Sequence, residues 1–216
     1  MAEPPTSRRV ILSVIGPHSG CGKTSLIIQL LRHLSGLGCL KISPVRDPHE
    51  VLAGGPESTE QAYWLEEPAS LSSPGKDTAL YLAAGSVQVE RLRHRRDGLA
   101  RGLKAALQRF PPSTSVVVES SRAVRFLKPA AVIMVVRPPV RTMKPSTVEV
   151  LPLVTDLLVN VSKDGERAAV EAQRLRDEFS AFRPQYTWAA DLSSQPPPEE
   201  LIIRLRSMLA PRRLSK

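Results

Sequence analysis

One segment of the chain constrains its fold more than any other: GPHSGCGKTS, residues 16–25. It stands between a short apolar run, VILSVIG, and an amphipathic one, LIIQLLRHL. A buried strand, a glycine-rich turn and a helix in that order form a natural anion cradle. The turn's N–H groups converge, and the helix adds its positive end. The phosphate-loop pattern asks for Gly, four residues, then Gly-Lys-Ser/Thr. Gly22, Lys23 and Thr24 satisfy its end, whereas its first glycine falls on Pro17, and Gly16 lies one position early. The end carries the chemistry. Gly20 and Gly22 let the backbone curl, Lys23 reaches terminal phosphates, and the Thr24 hydroxyl suits Mg²⁺. Pro17 removes an amide only at the loop entrance. The candidate phosphate-binding residues are therefore Ser19, Gly20, Cys21, Gly22, Lys23, Thr24 and Ser25, with His18 and the Cys21 thiol as fillers of the loop rather than catalytic groups.

The rest of the chain alternates in the same manner. RVILSVI, residues 9–15, reads as a strand, 23–35 as a helix stopped by GLG, and CLKIS, 39–43, as a second strand. The crossover between them predicts a parallel pair. Residues 54–76, rich in Gly, Pro, Ser and Glu, read as a long surface insertion pinned at Tyr63, Trp64 and Leu65. DTALYLAA follows as a helix capped by Asp77, then SVQVERL as a strand and 96–110 as an amphipathic helix ended by two prolines. TSVVVES, AAVIMVV and TDLLVNVS are continuous apolar strands. A helix near 165–180, a weak strand QYTWAA and a last helix PEELIIRLRSML complete the chain. Apolar strands alternating with helices predict a doubly wound, mainly parallel α/β sheet covered on both faces, of the phosphate-loop NTPase kind. The expectation is one domain over residues 1–216.

A phosphate loop needs acids near its Mg²⁺, and in such sheets they sit at the carboxyl ends of neighbouring strands. Glu119 ends the run VVVE, and Asp47 follows the second strand. Thr24, Asp47 and Glu119 are the candidate metal ligands. Lys23 and Glu119 are the candidate catalytic residues, the first stabilising phosphate charge and the second orienting a water or acceptor. NVSKD, residues 160–164, stands where guanine-reading proteins carry Asn-Lys-x-Asp, but Asn160 and Lys163 are not adjacent, which reads as a surface turn. HRRD, beginning at His94, shares only its letters with a kinase catalytic loop.

The charge is +9, and it is unevenly spread. Residues 47–75 contain no Lys or Arg, whereas 120–148 contain no acid but hold Arg122, Arg125, Lys128, Arg137, Arg141 and Lys144. Two of the apolar strands point the same way, so Arg122, Arg125, Arg137 and Arg141 are expected to form one anion-binding surface beside the loop. Aromatic residues are only 4% of the chain, which argues against base stacking and hence against a nucleic-acid partner. No run of 18 apolar residues occurs, so no membrane span is expected. The first residues lack a secretory pattern, and Cys21 and Cys39 make neither a disulfide framework nor a metal motif. A cytoplasmic protein with two reduced thiols is the expectation.

The order ILSVIGPHSGCGKTSLIIQLL, CLKISPVRD, SVVVES resembles the molybdopterin-guanine dinucleotide biosynthesis accessory B proteins, over about residues 9–50 and 114–162. That family belongs to the class of small phosphate-loop proteins that includes nitrogenase iron protein. The resemblance implies a commonly dimeric, doubly wound domain that binds GTP, hydrolyses it weakly and helps a partner biosynthetic enzyme attach GMP to molybdopterin. It implies phosphate and Mg²⁺ contacts at Gly20, Gly22, Lys23 and Thr24. It also matches Glu119 to the acid of the family's VEG segment, with Ser120 here in place of the glycine. A phosphorylated pterin would then be the ligand of the basic segment Arg122–Lys144. Three functions stay open. They are an accessory GTPase or ATPase of cofactor assembly, a small-molecule kinase or ligase-type ATPase acting on an anionic metabolite, and a nucleic-acid-binding module.

Overall fold

The computed structural model describes residues 9–45, 62–161 and 165–210. In chain order the first half runs β1 (Ile11–Ile15), α1 (Lys23–His33), β2 (Gly38–Pro44), β3 (Tyr63–Leu65), α2 (Pro68–Leu71), α3 (Asp77–Ala83), β4 (Val89–His94) and α4 (Leu99–Arg109). The second half runs β5 (Val116–Glu119), α5 (Val124–Leu127), β6 (Ala131–Val136), α6 (Pro145–Val148), β7 (Asp156–Asn160), α7 (Gly165–Glu178), β8 (Tyr186–Ala190) and α8 (Glu199–Leu209). The strands form one sheet in the order β3-β4-β2-β5-β1-β6-β7-β8, parallel throughout except for β3 against β4.

Strand alternation divides the core into two faces. Leu12 and Val14 of β1, Val117 of β5 and Ile133 and Val135 of β6 pack with α1, α3 and α8. On the other face Val132, Met134 and Val136 meet α7, and Val116 and Val118 meet α4. The sheet is thus doubly wound, with helices on both sides, as the continuous apolar strands imply. Every residue of β5, β6 and β7 is buried.

Three local expectations are corrected. β1 and β2 run parallel but do not pair, because β5 lies between them and bonds to both. A crossover helix fixes strand direction, not adjacency, and Val116, Val117 and Val118, fully buried, claim the central slot. The insertion is not all loop. Residues 54–61 lie outside the described residues, but Tyr63–Leu65 form the antiparallel edge strand β3. Trp64 is buried there beneath the Arg95 guanidinium, 5.4 Å from the ring centre, and Tyr63 and Leu65 pack on the core. Finally, Asp77 does not cap α3. It is the first residue of the helix, the cap position is Lys76, and the Asp77 carboxylate turns toward the sheet.

Candidate functional site

The loop between β1 and α1 is built by close approaches. A Cβ on Gly16 would stand 2.4 Å from the Cys21 sulfur and 3.0 Å from the Val135 carbonyl of β6, so only glycine closes the loop against the neighbouring strand. Pro17 is buried, and its carbonyl accepts the Lys144 N–H at 3.1 Å, which ties the loop entrance to the start of α6. The Thr147 hydroxyl donates to the Gly16 carbonyl at 3.0 Å. Gly22 has φ of 110°, a left-handed conformation that favours glycine, and opens α1 without any side-chain cap. The first N–H groups of α1 therefore face outward unbonded by the helix itself. The Lys23 ammonium folds back over the loop and donates to the His18 carbonyl at 3.0 Å. Ser19 and Gly20 are exposed at the loop's crest, and Cys21 is buried with its sulfur 3.3 Å from the His18 carbonyl oxygen. Ser25 is half-buried in the first turn of α1.

Beside the loop lies a charged cluster. Lys41 and Glu119 are partners in the parallel register of β2 and β5, so both side chains rise on the face covered by α1 and α3. The Lys41 ammonium bridges Asp77 Oδ2 and Glu119 Oε2, the latter at 3.4 Å. The Thr24 hydroxyl donates to Asp77 Oδ1 at 3.5 Å, and the Tyr81 hydroxyl donates to Glu119 Oε2 at 2.7 Å. Burial, reinforced by the charge of Glu119, pushes the Tyr81 phenol above its usual range, so it stays a donor. Thr24, Asp77 and Glu119 offer hard oxygen donors, the set Mg²⁺ takes when it uses one or two carboxylates and the phosphates of a substrate. Among the described residues no three His, Cys, Asp or Glu side chains form a metal-holding group. Asp47 lies outside the described residues, and Asp77 stands by Thr24. The signal for the cluster was present in the sequence: Lys41 interrupts a buried strand between Leu40 and Ile42, and such a cation needs a carboxylate partner.

Two clefts open at the carboxyl edge of the sheet. The larger, about 580 Å³, runs from Gly16, Ser19 and Lys23 past Lys41 and Glu119 to Ser43, His94, Ser120, Ser121, Arg122 and Lys144. The smaller, about 280 Å³, is lined by Arg137, Asn160, Arg167, Asp191 and Ser193 at the ends of β6, β7 and β8. The basic segment is accordingly divided, not continuous. Arg122 and Lys144 face the first cleft and Arg137 the second. Arg125 donates to the Glu149 carbonyl at 2.8 Å and pairs loosely with its carboxylate. Residues 122 and 137 follow β5 and β6, which are not neighbours because β1 lies between them.

Asn160 is not a surface turn. It is buried, its amide donates to the Cys21 carbonyl at 3.2 Å, and its side-chain oxygen accepts the Leu192 N–H at 3.1 Å. It thereby staples the glycine loop to the turn after β8, with residues 162–164 outside the described residues. A Cβ on Gly22 would stand 2.5 Å from the Asn160 amide nitrogen.

No family model matches the chain, and no curated protein matches it. Among solved structures it is similar to an unliganded sugar kinase from a Janibacter species, at 16% identity over 96% of this chain and 99% of that one, with a TM-score of 0.32. The structure defines the class: a doubly wound α/β protein with a glycine-rich strand-to-helix loop at its carboxyl edge. No described helix is long and apolar enough to cross a membrane.

Proposed function

We propose that the chain binds a nucleoside triphosphate with Mg²⁺ at the β1–α1 loop and hydrolyses it slowly. One observation carries this reading: at the start of α1, Thr24 bonds the Asp77 carboxylate that opens α3, Lys41 joins Asp77 to the strand-end Glu119, and Lys23 and Glu119 line one cleft. The helix N-terminus and loop amides supply an anion site. Lys23 would release the His18 carbonyl to take a terminal phosphate. Thr24, Asp77 and Glu119 would hold Mg²⁺, which neutralises phosphate charge when bound. Glu119 is then the group that orients a water or acceptor. The smaller cleft, beyond the loop and next to Asn160, would take the base. Guanine is placed ahead of adenine on the sequence resemblance, as is the assignment to molybdopterin guanine dinucleotide assembly with a partner biosynthetic enzyme and a homodimer.

A second reading, phosphoryl transfer to a small anionic metabolite, is favoured by the part of the large cleft that extends past Glu119 to His94 and Arg122. Titration of fluorescent GTP and ATP analogues with Mg²⁺, followed by phosphate-release assays, distinguishes the two. The accessory reading expects micromolar GTP binding, weaker ATP binding and turnovers of minutes or longer. Absence of binding by either nucleotide contradicts both readings.

A further inference from the structure

His94 ends β4 at the carboxyl edge, next to the last residue of β2, in register with Pro44. It is 2% exposed and lines the large cleft. Its Nδ1 lies 2.8 Å from the Arg95 carbonyl oxygen. A carbonyl only accepts, so Nδ1 carries the proton and Nε2 is left with its lone pair. That Nε2 is buried and has no hydrogen-bond partner among the described residues. A buried acceptor without a donor costs free energy that a ligand donor would recover. Burial, opposed by the Arg95 carbonyl and aided by the nearby charge of Arg122, holds the imidazole below its ordinary pKa and hence neutral. The same wall carries the exposed Arg122 guanidinium and the hydroxyls of Ser43, Ser120 and Ser121.

We propose that this end of the cleft is a second ligand site, distinct from the glycine loop, for a small molecule bearing an anionic group and an O–H or N–H donor. Arg122 takes the anionic group, phosphate or carboxylate, and His94 Nε2 accepts from the donor. The site sits across Glu119 from Lys23, so it deepens the function proposed above by naming the class of the second substrate. The pairing is chemically selective. An anion with no hydrogen to donate satisfies Arg122 but leaves Nε2 unpaired, and a neutral alcohol does the reverse.

Inorganic phosphate, which carries both an anionic oxygen and a P–OH, is the minimal probe. The protein is loaded with Mg²⁺ and a non-hydrolysable GTP analogue so that the loop is filled, and phosphate is titrated while the His94 imidazole resonances are followed. The expected result is a saturable shift at His94, weakened at least tenfold by Arg122→Ala, since a charge-assisted bond is lost. Arg122 is exposed, so that variant keeps its fold. A titration with no shift at His94, or one unchanged in Arg122→Ala, overturns the proposal. Failure of the analogue to bind would overturn the nucleotide reading alone, because the His94 shift and its dependence on Arg122 are read equally in the nucleotide-free protein.

Discussion

Lys41 Nζ lies 3.4 Å from Glu119 Oε2, on the neighbouring strand and at the same register position. The ammonium also bridges to Asp77, whose other oxygen takes the Thr24 hydroxyl. Lys41 thus holds together, as a cation tethered in the fold, the carboxylates proposed above to hold Mg²⁺. Removing one partner from a mostly buried charge group leaves the others uncompensated.

The first prediction follows from that arrangement. Lys41→Met should let the nucleotide-free protein bind Mn²⁺ at least tenfold more tightly than the wild type, as read by the electron paramagnetic resonance of free Mn²⁺. The wild type, with its internal cation in place, should bind little metal until a triphosphate is added. Equal, weak metal binding by both proteins would mean that Asp77 and Glu119 do not face a common ion.

Much of this was legible in the sequence. Nearly every strand and long helix could be placed from period and punctuation, because parallel strands buried on both faces read as unbroken apolar runs. The glycine-rich turn between β1 and α1 and the acid that ends β5 were legible because glycines and a strand-end acid are local signals. Asp77 was not. Its place beside Lys41 and Thr24 depends on how α3 packs against the sheet, a tertiary placement invisible to a pattern that reads the first acid of a helix as its cap. Asn160 was misread because its partners, Cys21 and Leu192, lie 139 and 32 residues away. The pairing of β5 between β1 and β2 escaped for a related reason, since sequence order does not fix sheet order.

Asn160 carries the second prediction. Asn160→Ala removes the buried link between the Cys21 carbonyl and the Leu192 N–H and leaves both without their side-chain partner. The expected cost is about 1–3 kcal/mol of stability. The amides of the glycine loop and of the turn after β8 should exchange faster together, because one side chain bridges them. Urea denaturation and hydrogen exchange check this; a stability change within a few tenths of a kcal/mol would show that the two segments are not coupled through Asn160.

A third prediction concerns pH. Burial holds folded His94 below its ordinary value of 6.5, so the unfolded chain binds more protons there as the pH falls through that value. The contribution of His94 to stability is therefore fully present above that pH and is lost as acid approaches its folded pKa. His94→Gln should flatten the acid limb of the stability profile relative to the wild type, by no more than about 1.4 kcal/mol per pH unit for a single proton. Urea midpoints from about pH 7.5 down to about pH 5 measure the difference. Parallel profiles would show that His94 charges as readily folded as unfolded.

In the proposed function the loop from Gly16 to Gly22 serves a triphosphate, with Lys23 as its cation. Lys23 is half-buried at the loop, and its ammonium bonds to loop atoms of His18 and Cys21 among the described residues. Lys23→Ala should leave the core, and hence the melting temperature of the free protein, within a degree or two. Calorimetric titration of Mg²⁺ and a non-hydrolysable GTP analogue into both proteins is the most direct test. Saturable one-site binding by the wild type and a loss of at least a hundredfold in Lys23→Ala are expected; equal affinity of the two proteins would rule out the loop as the triphosphate site.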